Sequence, residues 1–306
     1  MITASGVAEV RSACDEARRA GRRVGFVPTM GFLHPGHRSL MRAARVGNDV
    51  VVASIFVNPL QFGPTEDLER YPRDLAGDSA AAEAEGVDLL FLPAVDEMYP
   101  EPPLTTVHVA GLSEVLCGAS RPGHFDGVAT VVAKLLSIVG PCTAYFGRKD
   151  AQQLAVVRRM VSDLHLPADV VGCPLVRERD GVAMSSRNAY LSEEDRRAAP
   201  VLFGALRAAA AAVTGGERSG GALRRLIARE VAREPRVALE YVATCRPDDL
   251  EPLDHLEGDV LVAVAARVGS ARLIDNITLC IRDADVVADL GVVTDRPESE
   301  VLCAER

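Results

Sequence analysis

Two histidines in a turn rich in glycine and proline are the first residues whose types and spacing suggest chemistry. His34 and His37 lie three residues apart at the end of the segment Pro28-Thr29-Met30-Gly31-Phe32-Leu33-His34-Pro35-Gly36-His37. An apolar run fit for a buried strand precedes this turn, and a segment of helical composition follows it. Free N–H groups at a helix start favour phosphate, and side chains at i and i+3 share one face. The segment therefore predicts a nucleotide-handling turn in which both histidines reach one phosphate.

Two other interpretations of the histidine pair stay open at this point. The histidines could be ordinary surface residues of a helix cap, or they could bind zinc, because paired histidines at helical spacing are metal ligands. Zinc motifs usually place the two histidines four residues apart with an acid nearby. Pro35 and Gly36, which separate the pair, suit a turn better than a ligand helix. The context therefore favours phosphate over zinc.

Neutral amides and a second histidine motif suggest a site for a small polar substrate. Asn58 and Gln61 follow an apolar strand, and their amides can orient such a substrate without adding charge, although amides near Pro and Gly are also common in turns. Arg121 and His124 precede a long apolar helix and are candidates for binding a carboxylate. Asp126 in the same segment is alternatively a plain helix N-cap.

A third motif again places a cation directly after a strand. In the segment from Phe146 to Gln153, Gly147 allows a ligand to approach closely and Lys149 supplies a compact positive charge for phosphate. Gln153 lies one helical turn beyond Lys149. The alternative is that Asp150 caps a helix and that Lys149 is simply solvated.

A fourth motif lies in a polar loop and has the composition of a phosphate clamp. Ser185, Ser186 and Arg187 offer two hydroxyls and a guanidinium, which suit the oxygens of a polyphosphate. Acidic candidates for holding Mg²⁺ are Asp78 and Asp150, although no ligand spacing identifies either of them.

The charge of the chain limits the class of partner. The 306 residues carry a net charge of −9 and the pI is near 5.3, which argues against a nucleic-acid partner held by phosphate attraction. A small anionic ligand bound by a local basic cluster remains compatible with this balance. Only two of the 34 basic residues are lysines, Lys134 and Lys149. A lysine in such a chain is a candidate for chemistry that arginine cannot perform.

The seven cysteines and the N-terminal segment bear on the compartment. The cysteines are odd in number and form no C-x-x-C pair, which predicts reduced thiols in a cytoplasmic protein. The N-terminus lacks the apolar core of a signal peptide, and no window approaches 18 uninterrupted apolar residues. We therefore expect neither secretion nor a membrane partner.

The elements that must position these motifs alternate between strand and helix from residue 23 to about 174, which predicts a parallel sheet covered by helices on both faces. The candidate strands are Val24–Val27, Val50–Val57, Val87–Leu92, Ala144–Phe146 and Asp169–Cys173. The candidate helices lie near 36–46, 73–85, 127–139 and 149–164. Ligands of such α/β sheets bind at the carboxyl ends of strands.

The C-terminal part changes pattern, because helical segments at about 192–213 and 221–234 precede strand-like runs at 237–245, 259–267 and 271–280. This order predicts a separate, smaller α+β domain. We expect an N-terminal domain over 1–176, a hinge and active-site loop over 177–188, a lid domain over 189–281 and a variable tail over 282–306.

The motifs taken together resemble a known family. The strings P-T-M-G-x-L-H-x-G-H, V-N-P-x-Q-F, Y-P-R-D, R-P-x-H-F-x-G-V, G-R-K-D-x-Q-Q and M-S-S-R-N occur here in the order and spacing of the pantothenate synthetase, or pantoate–β-alanine ligase, family. That family belongs to the HxGH nucleotidyltransferase superfamily. The resemblance covers residues 23 to 192 closely and the C-terminal part only in general pattern.

The resemblance implies a Rossmann-like fold, a homodimer, and small-molecule substrates that react in two steps through an enzyme-bound acyl-adenylate. Pantoate would attack Mg-ATP, and β-alanine would then attack the adenylate to give pantothenate and AMP. ATP and Mg²⁺ are the implied cofactors, and Asp78 falls where the family has an acid linked to magnesium. Arg148 occupies a position that varies in the family, so it receives no role of its own.

The resemblance also assigns residues to each ligand. His37 would be the proton donor, Gln61 and Gln153 would hold pantoate, and Gln61 would also lie near β-alanine. The donors that would stabilise charge on the α-phosphate are His34, His37, Lys149, Ser185, Ser186 and Arg187. The ATP site would be lined by Met30, Gly31, Phe32, Leu33, His34, Pro35, Gly36, His37, Gly147, Arg148, Lys149, Asp150, Val176, Met184, Ser185, Ser186 and Arg187.

Three rival functions use the same kind of fold. A transferase that moves a nucleotidyl group onto a phosphorylated acceptor would give a stable nucleotide-linked product without an amine, but the amides Asn58 and Gln61 favour a small hydroxy acid. A non-catalytic nucleotide-binding regulator would be expected to lack some phosphate-binding side chains, and none is missing here. A tRNA-handling ligase is disfavoured by the acidic balance and the lack of a basic face.

Overall fold

The structure is a computed structural model that describes residues 1–64, 66–283 and 285–294. The described residues form two compact units. Unit 1 comprises residues 1–148 and 156–173, and unit 2 comprises residues 149–155 and the described residues from 174 onward. The division predicted from the sequence, with boundaries at 176, 188 and 281, stays a prediction.

Unit 1 is built on a six-stranded parallel sheet with the order β1-β4-β3-β2-β5-β6. Its strands are β1 (Ile2–Ala4), β2 (Val24–Thr29), β3 (Val50–Ile55), β4 (Leu89–Phe91), β5 (Cys142–Gly147) and β6 (Ala168–Cys173). Its helices are α1 (Val7–Arg19), α2 (Pro35–Gly47), α3 (Leu75–Ala84), α4 (Val95–Met98), α5 (Cys117–Ser120), α6 (His124–Val139) and α7 (Ala151–Asp163), the last of which begins in unit 2.

The order of the strands places two motifs at the same point of the sheet. The chain runs outward from β2 through β3 to β4, and then returns to the other side of β2 with β5. Ligands of doubly wound sheets bind at this reversal, outside the carboxyl ends of the two adjacent strands. The histidine turn follows β2, and Gly147 ends β5. The topology therefore gives both segments the position of a ligand-binding site.

Burial explains why the central strands are apolar throughout. On one face of the sheet, Leu40, Met41 and Ala44 of α2 pack in one buried cluster with Val27 and Val51. Strands covered on both faces read as continuous apolar runs, as the sequence of β3 does. The parallel sheet confirms the predicted α/β class.

Helix α1 and strand β1 of unit 1 were absent from the prediction, as were the short helices α4 and α5. Helix α1 buries Val10, Cys14 and Ala17, which are spaced by four and three residues and form one helical face. This spacing would have predicted the helix. The adjacent β1 has only three residues and pairs with β4 at the edge of the sheet, so its sequence carries too little pattern to identify it.

Unit 2 contains an antiparallel sheet with the order β11-β10-β9-β8, and a short parallel pair of β7 and β12. Its strands are β7 (Val176–Arg177), β8 (Val237–Cys245), β9 (Gly258–Val268), β10 (Ala271–Arg282), β11 (Asp285–Asp289) and β12 (Val292–Val293). Its helices are α8 (Glu193–Ala198), α9 (Val201–Thr214) and α10 (Gly220–Val231). Leu206 of α9, Leu223 of α10 and Val262 of β9 belong to its core.

Two features of unit 2 differ from the sequence prediction. The single helix expected over 192–213 is divided into α8 and α9 next to Pro200, which has no N–H to continue a helical ladder. Residues 285–294, expected within a variable tail, contribute β11 and β12. The rest of that segment, residues 295–306, lies outside the described residues.

Two structural findings concern the cysteines and the apolar segments on which the compartment predictions rest. Burial raises the pKa of the Cys14 thiol to about 11 and those of Cys142 and Cys245 to about 12, which makes these thiols poor nucleophiles at neutral pH. Among the residues that the structure describes, no helix is both long and apolar enough to cross a bilayer.

Candidate active site

The histidine turn leaves β2 through two residues with left-handed backbone conformation. Gly31 has a φ of +85° and Phe32 a φ of +51°. A Cβ on Gly31 would lie 2.9 Å from an oxygen of Asp78 and 2.9 Å from a methyl carbon of Ile55, so only glycine fits. The hydroxyl of Thr29 accepts a hydrogen bond from the Gly31 N–H at 3.2 Å and donates to the Ser54 carbonyl at 2.7 Å. Hydrogen bonds from residues at the ends of β2 and β3 therefore fix the start of the turn.

Asp78, the predicted magnesium ligand, contacts the backbone of the same turn. One carboxylate oxygen accepts a hydrogen bond from the Phe32 N–H at 2.8 Å, and the other accepts one from the Leu33 N–H at 2.6 Å. The side chain lies on α3 and is only 4% exposed. These contacts show an anchor for the turn, and the metal role stays a prediction.

The two histidine rings lie together at the start of α2, as the spacing predicted. Their centroids are 4.0 Å apart, and both residues are half-buried. The backbone N–H of His34 donates to Nδ1 of His37 over 3.4 Å. A ring nitrogen that accepts a hydrogen bond carries no proton, so the neutral His37 ring carries its proton on Nε2. That nitrogen is the one that can donate to an anionic ligand.

The amide pair after β3 is held in a buried network. Asn58 is 1% exposed, and its Nδ2 donates to Oε1 of Gln61 at 3.3 Å and to the Gly127 carbonyl at 3.0 Å. Its Oδ1 accepts from the hydroxyl of Tyr99 at 2.9 Å. Gln61 in turn donates to the thioether sulfur of Met30. The structure thus brings the amide pair next to the histidine turn, with Asn58 orienting Gln61.

The structure shows one contact around this network that the sequence analysis did not predict, between Tyr99 and Lys134. Tyr99 is half-buried, and this burial raises its pKa to about 12 and keeps its hydroxyl protonated as a donor. The ammonium of Lys134, one of the two lysines, lies 4.9 Å from the centre of the Tyr99 ring, within cation–π range. Neither residue belongs to a local motif, so the sequence alone gave no signal for this contact.

Arg121 and His124, the predicted carboxylate binders, lie together beside Gln61. Arg121 donates to both oxygens of Glu66, at 2.6 and 2.7 Å, and to Nε2 of His124 at 2.9 Å. The Nδ1–H of His124 donates to the backbone carbonyl of Gln61 at 2.8 Å. Since arginine only donates, these contacts assign the His124 proton to Nδ1. Glu66 thus already occupies the bidentate edge of the Arg121 guanidinium, formed by Nε and Nη2.

Glu66 gives this cluster a defined pH dependence. The hydrogen bonds from Arg121 lower the pKa of Glu66 to about 2 from its ordinary 4.5. Because the folded-state pKa is the lower one, the stabilisation is complete above 4.5 and is lost as the pH falls towards 2. We therefore expect Glu66→Gln to lower the free energy of unfolding at pH 7, and the difference from wild type to shrink through this window in urea titrations. Glu69→Gln, at an exposed neighbour, is the control; a pH-independent difference for Glu66→Gln would contradict the assignment.

The third motif follows β5 in a short 3₁₀ turn, Arg148–Asp150, that leads into α7. Arg148 belongs to unit 1, where its Nε donates to the Gly172 carbonyl at 3.1 Å. Lys149 is the first residue of unit 2; its side chain is 19% exposed, and its ammonium lies 3.4 Å from a carboxylate oxygen of Asp150. Gln153 is half-buried on α7. The Lys149 side chain is thus mostly shielded from solvent, and its role in phosphate binding stays a prediction.

The fourth motif, also in unit 2, lies on a hairpin next to β7. Residues Arg177 and Ala183 form an antiparallel bridge, and the Met184 N–H donates to the Val176 carbonyl at 3.0 Å. Ser185 then caps a 3₁₀ turn by accepting from the Arg187 N–H at 3.2 Å. Ser186 is buried. The loop predicted over 177–188 thus contains a hairpin and a 3₁₀ turn, and its role as a hinge stays a prediction.

The family profile described as pantoate-beta-alanine ligase matches residues 2–278. The chain belongs to the pantoate-beta-alanine ligase family. Its enzyme class is the one that was predicted, a pantoate–β-alanine ligase, and the family supports a role in pantothenate synthesis.

Curated relatives and solved structures of this ligase family agree over nearly the whole chain. A pantothenate synthetase of Geobacillus kaustophilus is 54% identical over 279 residues, which cover 91% of this chain and 93% of the relative. The crystal structure of pantothenate synthetase from Thermus thermophilus has a TM-score of 0.86 and 52% identity, covering 90% of this chain and 98% of that one. A pantoate-beta-alanine ligase from Francisella tularensis, solved with beta-gamma ATP and beta-alanine, has a TM-score of 0.74 and 33% identity, covering 90% and 97%.

Proposed function

We propose that this ligase condenses pantoate with β-alanine at the expense of ATP, through an enzyme-bound pantoyl-adenylate. A pantoate carboxylate oxygen attacks the α-phosphorus of ATP and diphosphate leaves. The amine of β-alanine then attacks the acyl carbon, loses a proton, and releases AMP and pantothenate. The observation that carries the proposal is the retention of every phosphate-binding and amide motif, two of them at the ends of β2 and β5, in a chain of this family.

In the adenylation step the chain must stabilise negative charge that grows on the phosphate oxygens. Preorganised donors in a partly buried site do this most effectively. The His37 ring offers Nε2–H, and Lys149 offers a compact ammonium. We assign the same task to His34, Ser185, Ser186 and Arg187. The remaining ATP contacts are assigned to Met30–Leu33, Pro35, Gly36, Gly147, Arg148, Asp150, Val176 and Met184.

Pantoate and β-alanine need polar groups that orient them without neutralising their reactive ends. The amide of Gln61 is oriented by Asn58 and by the neighbouring Met30, which supports its assignment to pantoate and β-alanine. Gln153 is the second pantoate residue. Arg121 and His124 are assigned to the same substrates, acting through the Gln61 backbone that His124 contacts.

Mg²⁺ is assigned here to the ATP phosphates. Within the described parts of the chain, no group of three or more His, Cys, Asp or Glu side chains forms a potential ligand set. Asp78 already accepts two backbone hydrogen bonds. Since Mg²⁺ is commonly held by one or two carboxylates and substrate phosphates, the residues present fit a metal that arrives with ATP. The metal would neutralise phosphate charge. The family resemblance gives Asp78 as its candidate contact, whereas the two backbone hydrogen bonds favour the role of an anchor for the turn.

The test of the proposal separates its two steps. With pantoate present and β-alanine absent, the enzyme should exchange radioactive diphosphate into ATP. With both substrates it should form AMP and diphosphate in equal amounts, and ¹⁸O from the pantoate carboxylate should appear in AMP. Formation of ADP and phosphate would contradict an adenylate. If diphosphate were released only with another acceptor, the fold assignment would stand and the proposed substrates would be wrong.

Asp78→Asn distinguishes an anchor of the histidine turn from a metal ligand. The amide keeps one acceptor oxygen and turns an NH₂ group towards a buried N–H, which costs about 1–3 kcal/mol. We expect diphosphate exchange to slow about tenfold and excess Mg²⁺ not to restore it. Asp74→Asn on the same helix start is the control, because asparagine caps helices as well as aspartate does. Recovery of Asp78→Asn at high Mg²⁺ would support the metal role instead.

Two further proposals concern the state of the protein in the cell. We propose a homodimer, on the strength of the family resemblance, and light scattering of the purified enzyme would measure its mass directly. We also propose a cytoplasmic location, for which the cysteine composition is the support.

A further inference from the structure

Strand β7 of unit 2 carries a fully buried arginine. Arg177 has no exposed surface, and its guanidinium donates to a carboxylate oxygen of Asp275 at 2.7 Å. It also donates to the backbone carbonyls of Gly181 at 2.9 Å, of Asn276 at 3.1 Å and of Leu290. The charge is therefore paired, and the same group holds three separate parts of the chain, at Gly181, at Asp275 with Asn276, and at Leu290.

Asn276 extends this cluster to the lysine motif. The other oxygen of Asp275 accepts from the Asn276 N–H at 2.7 Å. The side chain of Asn276 is buried, and its Nδ2 donates to the backbone carbonyl of Lys149 at 2.8 Å. A continuous path of hydrogen bonds thus runs from Arg177 to the backbone of Lys149.

The same arginine also supports the serine motif through its own backbone. Arg177 bridges Ala183 across the hairpin, and its side chain holds the Gly181 carbonyl in the turn of that hairpin. Ser185, Ser186 and Arg187 follow the hairpin directly. The path of contacts from these residues to Lys149 lies entirely in unit 2.

We propose that Arg177, Asp275 and Asn276 are positioning residues that hold Lys149 and the segment Ser185–Arg187 in one fixed geometry for the α-phosphate. Stability alone does not require this cluster, because apolar residues of similar volume often replace a buried ion pair without loss. Directional bonds to backbone carbonyls fix atoms in place, and a displacement of about 1 Å in a site can cost about 10²-fold in rate. The inference rests on the proposed adenylation function of Lys149.

Asn276→Ala tests the inference because it removes the contact to Lys149 and leaves the ion pair. We expect the pantoate-dependent diphosphate exchange to slow by about 10- to 100-fold. Leu279→Ala is the control: it truncates a buried side chain on the same strand, so it should lower the melting temperature and leave the exchange rate unchanged. Asn276→Ser is the second variant if Asn276→Ala folds poorly.

The decisive readout is the combination with Lys149→Ala. If Asn276 acts through Lys149, adding Asn276→Ala to Lys149→Ala slows the exchange no further. Rate losses that multiply in the double variant, or a wild-type rate in Asn276→Ala, would overturn the inference while leaving the proposed function intact. A wild-type rate in Lys149→Ala would overturn both, and is recognised from the single variant alone.

Discussion

Lys149→Ala is expected to slow pantoate-dependent diphosphate exchange by about 10²–10³, the loss seen when one preorganised transition-state donor is removed. The ammonium is a compact charge on a partly buried side chain, whereas a guanidinium at this position would present a wider, planar group. Lys149→Arg should therefore recover only part of the rate. Both variants are measured at saturating ATP and pantoate, so that the change reports the chemical step.

His37→Ala is expected to fall in the same range, about 10²–10³, because it removes the Nε2–H donor at the start of α2. The controls are Arg225→Ala and His255→Ala, which remove an exposed arginine and an exposed histidine outside the motifs. Both controls should retain wild-type exchange. If each of the two single variants, Lys149→Ala and His37→Ala, formed the adenylate at the wild-type rate, the assignment of these donors would be wrong.

Arg177→Met is the variant with the largest expected effect on stability. It removes one partner of a buried ion pair and leaves the Asp275 carboxylate, itself 3% exposed, without its counter-charge. Such a loss costs about 3–5 kcal/mol of unfolding free energy. Urea denaturation followed by circular dichroism measures it.

The double variant Arg177→Met/Asp275→Leu separates the cost of an unpaired charge from the value of the pair. With both charges removed, most of the lost stability should return, because apolar pairs of similar volume are often tolerated in place of buried ions. The exchange rate should stay low, since the path from Arg177 to the Lys149 carbonyl is broken. A double variant that is as unstable as Arg177→Met would show that packing, and not charge, sets the cost.

Much of the fold was predictable because its signals are local. The apolar runs of β2, β3 and β5 and the helices that follow them are each contiguous in sequence, and the structure confirms the predicted fold class. Boundaries were less accurate: β4 covers Leu89–Phe91, half of the predicted run, and α6 begins at His124, three residues before the predicted start. The first and last residues of a helix or strand depend on contacts with residues that are distant in sequence, so a local pattern does not define these boundaries.

The site was predictable as a set of motifs but not as a set of contacts. The anchor of the histidine turn, Asp78, lies 46 residues from Phe32, and the partner of Arg121, Glu66, lies 55 residues away. Arg177 and Asp275 are separated by 98 residues. One signal was present: Asp275 and Asn276 are adjacent polar residues between Ile274 and Ile277 in the middle of strand β10, where a buried polar group requires a partner.

The sequence by itself determined which chemistry the chain can perform, because phosphate-binding donors must follow one another at fixed spacing in a turn or helix start, and such spacing is visible in a linear string. The histidine turn, the Lys149 motif and the serine motif have the spacing predicted for phosphate binding, and the amide pair has the spacing predicted for a small polar substrate. Only the tertiary structure decided how these groups are held. Hydrogen bonds and ion pairs form between atoms within about 3 Å, whatever their separation along the chain. Folding alone therefore turns Asp78 towards the histidine turn and Asn276 towards Lys149.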